Sequence, residues 1–170
     1  ASVEKVALGP EKKTRILSDD EKKITAYHEV GHALVGHLLP ECDPVHKVSI
    51  ISRGRALGVT WSLPERDTHL QSKTKFEHEL CCLLGGYVAE EVFFDQVTTG
   101  ASSDLSRATK MARQMVTRFG MSSLGPVAFG EDDHEVFLGR DYAHTKSYSE
   151  KMGYEIDSKI KEFLDNAYKQ

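Results

Sequence analysis

No stretch of this 170-residue chain is apolar over the roughly 18 to 20 positions that a bilayer-spanning helix needs. The longest candidate, Cys81 to Ala89, reaches about half that length. The amino-terminal ASVEKVALGPEKKTRIL has no apolar core and does not read as a secretory signal. A Gly-x-x-x-x-Gly-Lys-Ser/Thr phosphate loop is absent, so these residues do not bind ATP by that route. Three cysteines, with Cys81 and Cys82 adjacent, cannot form an even disulfide framework and read as buried thiols of a reducing compartment. Basic charge is also short. With 22 Lys+Arg against 26 Asp+Glu, the formal charge is −4, which gives no reason to expect nucleic acid as a partner. Internal repeats and low-complexity tracts are missing too.

What is present suits one packed domain: 39% hydrophobic and 28% charged residues over a length close to one ordinary domain. The first 17 residues carry charges and a Gly9-Pro10 breaker without periodicity, and read as a linker or docking arm. Ser18-Asp19-Asp20-Glu21 has the form of a capping box and predicts a helix running to Leu39, with Ile24, Tyr27, Leu34, Val35 and Leu38 near one side. Val45 to Ser52 is rich in β-branched residues, and Arg53-Gly54-Arg55 supplies a turn. Leu57, Val59, Trp61 and Leu63 then alternate as in a strand with one buried face, closed by Pro64 as an edge strand would be. Thr74 to Glu77 reads as a second capping box, opening a helix to Phe94 whose Gly85-Gly86 pair predicts another backbone packed close. A third helix is expected from Leu105 to Phe119, closed by Gly120, with Leu105, Ala108, Met111, Ala112, Met115 and Phe119 on its apolar face. Residues 121–146 read as loop with one short apolar segment, 135–138. A box at Ser147 to Glu150 predicts a final helix, which reaches the last residue without a stop signal and so suggests truncation. The expectation is a mainly α fold with one small antiparallel hairpin.

The chemistry is concentrated in His28-Glu29-Val30-Gly31-His32, inside the first predicted helix. Residues four apart lie about 40° from one another around a helix, so both imidazoles point to one place and can hold one zinc ion. Glu29 lies beside that place and is the candidate general base. A catalytic zinc takes a third protein ligand and keeps an open position. His37 is about 140° further round the helix from His32 and cannot serve. By spacing, His46, His69, His78, Glu90, Glu91 and Asp104 all remain possible.

AYHEVGHALVGH, LGGYVAEEVFF and TTGASSDLSRAT, together with GMSSLGPVAFGE and VFLGRDY, resemble the FtsH family of ATP-dependent membrane zinc proteases over essentially the whole chain. The resemblance implies a zinc endopeptidase acting on unfolded polypeptides, with one zinc per chain held by His28, His32 and Asp104 and with Glu29 as base. It also implies a hexamer and an ATPase module and membrane anchor upstream of residue 1. The parent protein would sit in a bacterial inner, mitochondrial inner or thylakoid membrane. Residues 18–170 would then be the peptidase domain, cut short at its carboxyl end, with Ser103 where family members often carry Asn.

Some roles stay open. Asp104 also suits the N-cap of a helix beginning at Leu105. One of Glu90 and Glu91, Glu90 by preference, is expected to accept the second ring N–H of a ligand histidine, with a solvated acidic pair as the alternative. Leu57, Gly58, Val59, Thr60 and Trp61 form a candidate edge strand for an extended peptide, with Gly58 allowing close approach. Arg107, Lys110, Arg113 and Arg118 read as a solvated helix face. A ring-forming scaffold module and a stand-alone zinc hydrolase of another class are the competing readings.

Overall fold

Ser18 opens the first helix as its sequence predicts. Its hydroxyl accepts from the Glu21 amide at 3.2 Å, while Glu21 Oε2 accepts from the Ser18 amide at 2.8 Å. The resulting helix α1 spans Asp19–Leu38. The computed structural model describes residues 17–51, 57–64, 70–129 and 148–170. The arm 1–16, the turn at 53–55, His69 and the apolar segment 135–138 lie outside the described residues.

Strands β1 (Val45–Ser49) and β2 (Val59–Ser62) form a two-stranded antiparallel ribbon, with Val48 opposite Thr60 and an irregularity between Val45 and Lys47. The ribbon is smaller than the alternation predicts, and every β2 side chain is half-buried. Among the described residues the pair of strands rests on one helix with no second layer to enclose a face.

Helix α2 (Lys73–Phe94) is capped by Ser72, whose hydroxyl accepts from the Lys75 amide at 3.1 Å. The predicted box at Thr74 therefore lies inside the helix, because Ser72 offers the same chemistry two residues earlier. A 3₁₀ turn (Thr99–Ala101) leads into α3 (Ser102–Thr117). The earlier start of α3 puts Asp104 in its first turn rather than at its cap. Leu105 and Phe119, expected on the apolar face, are partly exposed; Phe119 stacks on Phe76 at 5.4 Å beyond the helix end. Gly120, at φ 61°, turns the chain out of α3, as its position predicts. The last helix, α4 (Glu150–Lys169), is capped by Ser149, so the cap falls two residues after Ser147.

Leu80, Leu83 and Leu84 of α2, Ala108, Ala112, Met115 and Val116 of α3, and Ile156 and Ile160 of α4 make the core. Helix α1 joins it differently. Its buried residues are Thr25, His28, Glu29, His32 and Gly36. The apolar positions Leu34 and Leu38, expected inside, are 55% and 68% exposed. The polar face wins because the site lies between α1 and α2.

That packing needs glycine on both helices. A Cβ on Gly31 would overlap the Gly85 carbonyl oxygen, and a Cβ on Gly85 would meet the Gly31 carbonyl oxygen at 2.8 Å. Each glycine costs a helix about 1 kcal/mol relative to alanine, and here the cost secures backbone contact between α1 and α2. The close approach predicted from Gly85-Gly86 is this contact.

Candidate metal centre

His28 and His32, one turn apart on α1, point their Nε2 atoms at each other across 3.0 Å. Asp104, from the first turn of α3, brings Oδ2 to 3.3 Å from His28 Nε2 and 3.4 Å from His32 Nε2. The three groups are the one His/Cys/Asp/Glu cluster among the described residues with metal-ligand spacing.

The outer nitrogens of both rings are engaged. His28 Nδ1 lies 2.8 Å from Glu90 Oε1, and His32 Nδ1 lies 2.7 Å from the carbonyl oxygen of Cys82. Those acceptors take the Nδ1 protons, which leaves each neutral ring with a bare lone pair on Nε2. Two lone pairs and a carboxylate oxygen then converge with no donor among them. Only a cation or added protons can satisfy the arrangement. A tetrahedral zinc about 2.05 Å from each ligand would separate the donor atoms by about 3.3 Å, close to the observed spacing. The residues fit the ion.

Glu90 is 1% exposed and uses both of its oxygens. Oε1 holds His28, and Oε2 accepts from the Thr98 amide at 2.6 Å. One carboxylate thus links α2, the ligand face of α1 and the turn that delivers Asp104. Gly86 completes the pocket: a Cβ there would lie 2.5 to 2.7 Å from His28 ring atoms.

Glu29 is buried beside the cluster. The Thr60 hydroxyl lies 2.6 Å from its Oε2 and 2.9 Å from its main-chain carbonyl oxygen. Gly58 faces the same side chain, and a Cβ on it would meet Glu29 Oε1 at 2.6 Å. The space left by Gly58 is therefore occupied by Glu29, where the sequence suggested room for a peptide.

Other sequence candidates are not brought in. His37 is exposed, His46 packs edge-on against Trp61 at 5.2 Å, and His78 accepts from the Glu41 amide. Glu91 accepts from the Tyr168 hydroxyl. Three contacts escaped the sequence reading: the Cys82 carbonyl, the Thr98 amide and the Thr60 hydroxyl. The first two are main-chain groups, which every residue carries, so no residue type signals them.

The electrostatics of the metal-free cluster follow from this geometry. Burial pulls both imidazoles down, but Asp104 overcomes it, aided by Glu90 at His28 and by the Cys82 carbonyl at His32. Both rings end above their ordinary value. Burial alone would raise Asp104; the two rings facing it instead hold it far below the usual carboxylate range. Burial raises Glu29, with the Thr60 hydrogen bond opposing.

Stability contributed by the raised histidines is complete below about pH 6.5 and is lost as pH rises through their folded values. The contribution of Asp104 is present above about pH 4 and is lost as pH falls toward its depressed value. Metal-free protein is therefore expected to melt highest near pH 5 to 6 and lower by about pH 8. Zinc, which takes only neutral rings, should add most at the alkaline end. Thermal melts across this range, with and without zinc, check both trends. A metal-free melting temperature that climbs from pH 6 to pH 8 would contradict the coupling.

The sequence matches the model of Peptidase family M41 over residues 15–170. The chain belongs to peptidase family M41. It is 55% identical over 168 residues to the ATP-dependent zinc metalloprotease FtsH of Rubrobacter xylanophilus, covering 98% of this chain and 26% of that protein. It is 52% identical over 170 residues to the ATP-dependent zinc metalloprotease FtsH of Caldicellulosiruptor bescii, covering 99% of this chain and 28% of that protein. This M41 chain thus spans about a quarter of the length of the relatives it matches. Among its described residues no helix is long and apolar enough to cross a membrane.

Proposed function

We propose that this chain is the zinc-dependent endopeptidase part of an ATP-dependent, membrane-anchored protease, and that it cuts unfolded polypeptides. The observation that carries the reading is the convergence of His28, His32 and Asp104 at tetrahedral spacing, with the buried Glu29 beside them. His28, His32 and Asp104 hold one zinc, and Glu90 and the Cys82 carbonyl orient the two rings through their Nδ1 atoms. When bound, zinc supplies a Lewis acid that lowers the pKa of water to about 7 and polarises a carbonyl.

Glu29 does the proton work. Its carboxylate takes a proton from the attacking water and returns one to the departing amine nitrogen. The substrate lies extended along β2, whose second edge is unpaired among the described residues. Peptides of many sequences can add there through main-chain hydrogen bonds, across Leu57, Gly58, Val59, Thr60 and Trp61. ATP hydrolysis and the membrane anchor belong to the rest of such a protein, which assembles as a homo- or hetero-hexamer.

Metal removal tests the reading. Protein stripped by a chelator is expected to lose cleavage of unfolded casein and to regain it on reloading, saturating at one zinc per chain. Cleavage that persists in the stripped protein, or a chain that takes up no zinc, would overturn it.

A further inference from the structure

We infer that Thr60 is the positioning residue for Glu29, holding the base through a hydroxyl that can serve it in both of its protonation states. The inference rests on the proposed peptidase reading and deepens it.

The Thr60 hydroxyl has two acceptors in reach, and both belong to Glu29: Oε2 at 2.6 Å and the main-chain oxygen at 2.9 Å. One O–H serves one of them fully at a time. While Glu29 is ionised, the carboxylate is the stronger acceptor and the hydroxyl donates to it. Once Glu29 carries a proton on its other oxygen, Oε2 remains a carbonyl-type acceptor and the hydroxyl can go on donating to it. No proton leaves Thr60 in either state.

The same contact divides the labour of the carboxylate. Oε2 is committed to Thr60, while Oε1 lies against the bare Cα of Gly58 and has no hydrogen-bond partner among the described residues. Oε1 is therefore the oxygen free to receive a proton from water. A buried carboxylate with neither oxygen held could swing about its side-chain torsions, and misplacement of a base by about 1 Å can cost about 100-fold in rate.

The position of Thr60 in the fold adds a second consequence. It lies in the middle of β2, opposite Val48 of β1, in the strand proposed to receive the peptide. The strand that sets the register of the substrate thus also sets the position of the base.

The test compares Thr60→Val, Thr60→Ser and Glu29→Gln with the unaltered zinc-loaded protein on a fluorogenic unfolded casein. Zinc content and melting temperature are measured for each. Thr60→Val is expected to keep one zinc and lower kcat about 10- to 100-fold with KM changed less than about threefold, as loss of a hydrogen bond to a charged group predicts. Thr60→Ser restores the hydroxyl and should recover kcat to within about threefold. A role confined to strand packing would lower melting temperature, would not separate kcat from KM and would not be rescued by serine. Should valine prevent folding, Thr60→Ala removes the same hydroxyl and decides the question by the same comparison with serine. Unchanged kcat in the valine or alanine protein, alongside an inactive Glu29→Gln protein, overturns the positioning role alone. Full activity in Glu29→Gln as well overturns the assignment of Glu29 as base, and the inference with it.

Discussion

A Glu29→Gln protein is expected to bind zinc as tightly as the unaltered chain and to lose about 10²- to 10⁴-fold in kcat. Glutamine has the same shape, and its amide oxygen can still accept from the Thr60 hydroxyl at the place now held by Oε2. It does not take up a proton at neutral pH. Glu29 is 7% exposed, so bulk water cannot easily substitute for the missing base. The proposed zinc donors are untouched by the change, which separates this variant from one that fails by losing the ion. Single-turnover cleavage of casein together with zinc content checks it. Activity within threefold of the unaltered protein would assign the proton work to another group.

Asp104→Ala is expected to act on the ion itself and weaken zinc binding by more than about 100-fold, since loss of a merely supporting contact already costs 10- to 100-fold. Asp104 faces both imidazoles, at 3.3 and 3.4 Å, and it is the group that overcomes burial to raise their proton affinity. Alanine removes a donor and leaves two lone pairs facing a gap. The fold should survive, because Asp104 lies outside the apolar core of α2, α3 and α4. Arg107, 3.7 Å from Asp104 Oδ1 and largely exposed, loses a partner but remains solvated. Competition against a zinc-binding indicator gives the affinity. Equal binding by the two proteins would remove Asp104 from the ligand set and return attention to Glu90.

The sequence made the first helix and its chemistry readable because both rest on local spacing. Ser18 and Glu21 are three apart and His28 and His32 four apart, and those intervals have a fixed meaning on a helix. Gly85-Gly86 was legible for a similar reason, as a local cost that needed a structural return. Two kinds of feature were not legible. One was competition between near-equivalent residues: Ser72 and Thr74 offer the same cap, and the structure uses Ser72. The other was the inner face of α1. Hydrophobic periodicity assigned Leu34 and Leu38 to the interior, but burial of the histidines and Glu29 decides the rotation of the helix. The distance in sequence between His28 and Asp104 hid the proposed third donor from spacing alone. Only the resemblance named it in advance, and the geometry now brings it beside the histidines.

The rotation of α1 has a consequence for how the domain comes apart. Helices α2 to α4 cohere by removing oily surface from water, a force that needs no ion. Helix α1 is held by its glycine contact with α2, by Tyr27 against Phe93 and Phe94 and by half-buried Val35 against the core, but the face it buries most deeply is one of charge and lone pairs. An empty site would therefore weaken the attachment of this helix more than that of the others. The ion that equips the protein for chemistry would also be the rivet that makes its architecture whole.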